Sequence, residues 1–197
     1  MNKVRDGVRR FLKGFILLAA FAVAGCGDKG HDAPKGVEPL QAVFPKVLAA
    51  GNPAVDFQSK EMDGTPVRLS AFRGKAVILF FWRMNCPECK ASMPSLDALG
   101  KKFKGLNPLR GLVIIALNED SMHSAAVEEV QAFLQNGKFS FKNIREEDGY
   151  VAEAYSVFKA PQAFVIGRDG VIAAVKEGRT DWMSAENVGM MELLLKK

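Results

Sequence analysis

The 197-residue sequence is poor in the side chains that hold metals, with three cysteines and two histidines. Cys86 and Cys89 are the one close pair. A tetrahedral zinc site built on them needs two more ligands, and only Cys26, His31 and His123 remain, none at a metal-ligand spacing. His31 stands in a polar stretch and reads as solvated, and His123 at the exposed start of a helix; neither is assigned chemistry, and no cofactor is called for. An excess of one charge is missing too. The formal charge is +5, but Met1 to Gly25 carries Lys3, Arg5, Arg9, Arg10 and Lys13 against Asp6, and the remainder is balanced to within +1. That excludes a basic surface for nucleic acid. No apolar run reaches the roughly 20 residues of a helical membrane span, which excludes a multi-span protein, and no internal repeat is present.

What the sequence does have begins with an export layout. A basic start is followed by the apolar stretch Phe15 to Ala24, the arrangement of a secretory signal. Val23-Ala24-Gly25-Cys26 resembles the bacterial lipobox, in which cleavage precedes a cysteine that is then acylated. Removing Cys26 from the count leaves one pair and no spare thiol, as suits an exported protein. Arg9-Arg10-Phe11-Leu12-Lys13 lacks the residue that twin-arginine signals place after the arginines, so that export route is not adopted. Residues 1–25 are therefore expected to be a lipoprotein-type signal, with an uncleaved anchor and an idle Cys26 as the alternative that would tether the domain equally, 26–50 a tether with one short helix near Leu40 to Ala49, and 51–197 a single domain.

The domain is organised around Ala76 to Pro94. The apolar run Ala76 to Trp82 reads as a strand buried on both faces. Pro87 suits the first position of a helix that runs to about Lys104, with a kink expected at Pro94. Cys86 then stands at a helix N-terminus. There unpaired N–H groups and the helix dipole favour an anion, so a Cys86 thiolate is stabilised near neutral pH. Cys89 lies one turn deeper on the same face, within reach for a reversible disulfide. As a mere staple the pair would close too short a loop to remove much unfolded-chain entropy. A soft-metal alternative stays open, because Met84, Cys86 and Cys89 also suit copper(I).

Around this segment, Val67 to Leu69 is expected to be a short strand with Ser70 capping a helical turn. Leu112 to Leu117 is a second inner strand, parallel to the first if a helix crosses between them. Met122 to Gln135 is a crossover helix, Phe139 to Ile144 an edge strand, and Gly149 to Phe158 a short helix. Gln162 to Ile166 and Gly170 to Val175 flank Gly167-Arg168-Asp169-Gly170 as a hairpin. A helix from about Trp182 to Leu195 closes the chain, with Met190, Leu193 and Leu194 in the core.

Phe81-Trp82 ahead of Cys86-Pro87-Glu88-Cys89, then Met93-Pro94, resembles the active-site segment of the thioredoxin superfamily. The wider frame is similar to its TlpA/ResA-like (DsbE-like) branch of membrane-anchored thiol–disulfide oxidoreductases. Asn52 to Phe57, Gly64 to Ser70 and Ala160 to Ile166 before Arg168-Asp169-Gly170 carry the rest of the likeness. It implies a three-layer α/β/α fold with a central mixed sheet and a C-terminal antiparallel hairpin. It also implies Cys86 as nucleophile, Cys89 as resolving thiol, and Pro161 after Ala160 as a cis-proline contacting substrate, with Trp82, Pro87 and Glu88 near the site. The implied partners are disulfide-containing polypeptides, with cytochrome c maturation as one setting, and a membrane dithiol donor. The implied place is the bacterial envelope, with the domain lipid-anchored and facing the extracytoplasmic side. Three positions depart from the pattern: Phe80 where many thioredoxins bury an acid, Ser92 where the branch usually has a glutamate, and Asn85 in place of a tryptophan. A peroxidase of the peroxiredoxin kind would have a threonine two or three residues before its cysteine, where Arg83 and Met84 stand here.

Overall fold

The computed structural model describes residues 47–104 and 111–196. The expected helix near Leu40 to Ala49 and the signal segment fall largely or wholly outside these residues. A short ribbon of β1 (Gln58–Lys60) and β2 (Pro66–Arg68) precedes a five-stranded sheet ordered β5-β4-β3-β6-β7. Its strands are β3 (Ala76–Trp82), β4 (Leu112–Asn118), β5 (Lys142–Arg145), β6 (Gln162–Ile166) and β7 (Ile172–Glu177). β3, β4 and β5 run parallel, whereas β6 and β7 are antiparallel additions. The expected mixed sheet, inner parallel pair and terminal hairpin are all present.

Every residue of β3 is buried, which is why its sequence is apolar without alternation. Ala76, Ile78, Phe80 and Trp82 face one cluster with α1 (Pro87–Phe103), α2 (Val127–Gly137) and α4 (Ala185–Lys196). Val77, Leu79 and Phe81 face the other, beneath the ribbon and α3 (Tyr150–Ala154). There Phe81, Tyr155 and Phe164 meet ring to ring, with centroids 5.0–5.9 Å apart. Truncating Phe164 to alanine in this layer would cost about 3–5 kcal/mol. At the hairpin tip Gly170 has φ 78°, and a side chain there would run into the Arg73 guanidinium.

Several expected boundaries are corrected. Ser70 is not a cap: it lies inside a 3₁₀ turn, Leu69–Phe72, and its own N–H donates to Asp56 Oδ1 at 2.8 Å. The capping acid comes from a distant segment. α2 begins at Val127 rather than Met122, because Ser124 Oγ bonds Asp120 and holds that stretch in turns, while Glu129 bonds the Ala126 N–H. The edge strand begins at Lys142 rather than Phe139, and α3 is shorter than expected, ending before Ser156 at φ 53°. α4 starts at Ala185; Met191 is its fully buried methionine, whereas Leu193 is exposed.

Candidate active site

β3 delivers the chain to the site at its C-terminal end. Trp82 is fully buried, and after the loop Arg83–Asn85 the chain enters α1 with Cys86 as N-cap and Pro87 in the first helical turn. Cys86 is extended, at φ −109° and ψ 99°, and its Sγ accepts the Cys89 N–H at 3.1 Å. The sulfur occupies the place where a capping oxygen would sit, facing the free N–H groups of the first turn. Cys86 and Cys89 are joined as a disulfide, with S–S 2.06 Å and Cα–Cα 5.2 Å. Cys86 is partly exposed and Cys89 completely buried.

The Ala160–Pro161 peptide is cis. Because Phe81 pairs with Gln162 across the β3–β6 ladder, Pro161 lies at the same sheet end as the cysteines. Gly178 ties the two parts together. Its N–H donates to the Pro161 carbonyl at 2.9 Å, and a side chain there would come within 3.8 Å of Glu88 Oε2. Met84 and Ala160 are partly buried against the cluster that holds Cys89 and Trp82. Thus Trp82, Met84, Cys86, Pro87, Glu88, Cys89, Ala160 and Pro161 converge at one end of the sheet, while Cys26 lies outside the described residues.

The three departures have structural consequences. Phe80 is buried in the core and offers no proton acceptor. Ser92 is also buried, and its hydroxyl is committed: it donates to the Glu88 carbonyl at 2.9 Å and accepts the Thr180 N–H at 3.0 Å. Ser95 repeats the device, accepting the Trp182 N–H at 3.1 Å. These two serines stitch the segment after β7 to the redox helix. Asn85 is exposed, and Glu88 projects beside the cysteines on an exposed first turn.

The sequence alone assigns no role to Asn118 to Asp120, which follow the strand expected over Leu112 to Leu117. In the structure this run braces the site. Arg83 Nε donates to Glu119 Oε2 at 2.8 Å, and the Glu119 side chain is only 5% exposed. Burial raises the Glu119 pKa above the ordinary carboxylate range, outweighing the lowering by Arg83. Met84 N–H donates to Asp120 Oδ2 at 2.7 Å. Two acids directly after a buried apolar strand were the available signal. Among the described residues, no group of three or more His, Cys, Asp or Glu is placed to hold a metal ion.

A cysteine pair joined at a helix N-terminus, one residue partly exposed and one buried, at the same sheet end as a cis-proline, is suited to reversible exchange with disulfides. Comparison with known proteins agrees. The AhpC/TSA family model matches residues 50–175. The thiol–disulfide oxidoreductase ResA of Bacillus thuringiensis is 31% identical over 134 residues, covering 68% of this chain and 73% of that protein. Among solved structures, a putative thiol:disulfide interchange protein DsbE from Chlorobium tepidum has a TM-score of 0.63 at 25% identity, covering 76% of this chain and 99% of that one. A secreted Mycobacterium tuberculosis disulfide oxidoreductase homologous to E. coli DsbE has a TM-score of 0.58 at 26% identity, covering 70% and 96% respectively. The chain therefore belongs to the AhpC/TSA family, in the ResA- and DsbE-like part of the thioredoxin superfamily, and is a thiol–disulfide oxidoreductase.

Proposed function

We propose that the protein is an exported, membrane-tethered reductant of disulfides in exported polypeptides, working through Cys86 and Cys89. The observation that carries this reading is the asymmetry of the pair: Cys86 Sγ, partly exposed, accepts a helix N-terminal N–H, whereas Cys89 is fully buried. In the reduced protein the Cys86 thiolate attacks one sulfur of a substrate disulfide. A Cys86–substrate disulfide forms, and the other substrate sulfur leaves as a thiolate and takes up a proton. Cys89 then loses its proton and attacks Cys86 Sγ. The second substrate sulfur leaves as a thiol, and the Cys86–Cys89 disulfide remains. A membrane dithiol restores the pair by the same two exchanges. Pro161, at the same sheet end as the pair, would present its backbone to the bound strand.

Export is supported by the secretory layout of residues 1–25 and by the secreted nature of the Mycobacterium relative; the tether rests on the lipobox at Cys26. Replacing Cys89 with serine in cells tests the central reading. The variant should accumulate a reducible Cys86-linked complex with exported polypeptides, among which an apocytochrome would mark the maturation setting, and Cys86→Ser should accumulate none. Absence of complexes in the Cys89 variant, together with copper(I) binding that both substitutions weaken alike, would favour metal carriage by Met84, Cys86 and Cys89 instead.

A further inference from the structure

We propose that Asp120 is a positioning residue for the thiol–disulfide reaction, acting on Cys86 through the backbone of Met84. Asp120 is completely buried, two residues after the end of β4, and its hydrogen bonds go to Met84, Asn118 and Ser124 rather than to either cysteine. Its carboxylate collects three donors: Met84 N–H at 2.7 Å and Asn118 Nδ2 at 2.7 Å on Oδ2, and Ser124 Oγ at 3.0 Å on Oδ1.

Of these donors, Met84 has the functional consequence. It is the middle residue of the three that separate buried Trp82 from Cys86. On one side of it the Trp82 carbonyl accepts the Glu119 N–H at 3.0 Å; on the other, Cys86 N–H donates to the Arg83 carbonyl at 3.3 Å. The Asp120 bond closes the span between those points and, with the Arg83–Glu119 pair, anchors the loop to the end of β4. Exchange requires the attacking sulfur to approach along the line of the bond it breaks, so a loosened loop lowers the rate without removing any reacting group. The side chain needed is an acceptor of two N–H groups with a second polar atom for Ser124. Asparagine meets that need: its carboxamide oxygen can accept from Met84 and Asn118 while its NH₂ donates to Ser124.

The test compares Asp120→Ala and Asp120→Asn as reduced full-length proteins reacting with oxidised glutathione. The alanine variant should lose about tenfold in rate constant, and asparagine should restore the rate to within about threefold of the parent. A wild-type rate in Asp120→Ala would overturn the proposal. So would equal loss in both variants, which would make the charge, not the acceptor, the active feature. Should the alanine variant fail to fold, amide hydrogen exchange on the parent decides. Protection of Met84 N–H, retained in Asp120→Asn, supports the proposal, and exchange at the rate of a free loop amide overturns it.

Discussion

The Cys89 N–H donates to Cys86 Sγ at 3.1 Å, so the reachable sulfur of the pair caps the helix that carries the shielded one. The same N–H groups that orient the sulfur in the disulfide would stabilise a thiolate once the bond is reduced. In the mechanism proposed, nucleophile and helix terminus are thereby one feature, and the order of attack, Cys86 before Cys89, follows from it.

The charge beside the pair sets its poise. Glu88 sits between the cysteines on the exposed first turn, where its carboxylate opposes a Cys86 thiolate. Two cations close in sequence are engaged elsewhere: Arg83 is bonded to Glu119, and Lys90 Nζ lies 5.2 Å from the Phe133 ring centroid. On the proposed reading the reduced form is less stabilised than in a strong oxidant. The midpoint potential should lie nearer roughly −270 mV than about −120 mV, and Glu88→His should raise it. Equilibration of both proteins with glutathione buffers measures this; a parent value near the oxidising end would contradict it.

Buried carboxyls make opposite predictions for pH. Burial raises the Glu119 pKa, so in the window above the ordinary value of about 4.3 the folded protein holds a proton that the unfolded chain has lost. Its contribution to stability is present below that window and declines as pH rises through it. Asp97 runs the other way: burial opposes its ionisation, but Lys101 and Ser140 hold its pKa below the ordinary range. Its contribution is present at neutral pH and lost on acidification. Urea unfolding across the acid range should therefore show the parent losing ground to Glu119→Gln as pH rises, and losing its advantage over Asp97→Asn as pH falls. Parallel profiles would refute the assignment.

These acids mark the limit of what was legible in the sequence. β3 was readable because both of its faces are buried, and the start of α1 because Pro87 belongs in a first helical turn. The cysteines and the hairpin were readable because their chemistry is local, whereas the cis Ala160–Pro161 peptide came only with the family resemblance, since an X-Pro bond by itself is usually trans. What failed was set by partners far along the chain. Asp56 binds the Ser70 N–H that was expected to begin a Ser70-capped turn, and Asp120 holds Ser124 out of α2. Asp120 also reaches Met84 across 36 positions, and Thr180 reaches Ser92 across 88. No spacing rule reports such pairs, because the fold alone brings them together. In α4, Met190, Met191, Leu193, Leu194 and Leu195 fall too close together for spacing to tell buried Met191 from exposed Leu193.

The N-terminus carries a separate prediction. If Val23-Ala24-Gly25-Cys26 is processed as a lipobox, the mature protein begins at a diacylated Cys26 and partitions with membranes, and Cys26→Ser releases it. Mass spectrometry of the protein from its native envelope should find the acylated cysteine as first residue. An intact N-terminus with a free Cys26 thiol would contradict this.

The central claim is the inequality of the two thiols, and brief alkylation of the reduced protein near neutral pH measures it directly. Cys86, partly exposed at the helix N-terminus, should take the label well before fully buried Cys89. Peptide mapping that finds Cys86 modified first, with Cys89 following only on unfolding, is the result expected; preferential labelling of Cys89, or equal rates at both, would contradict the mechanism.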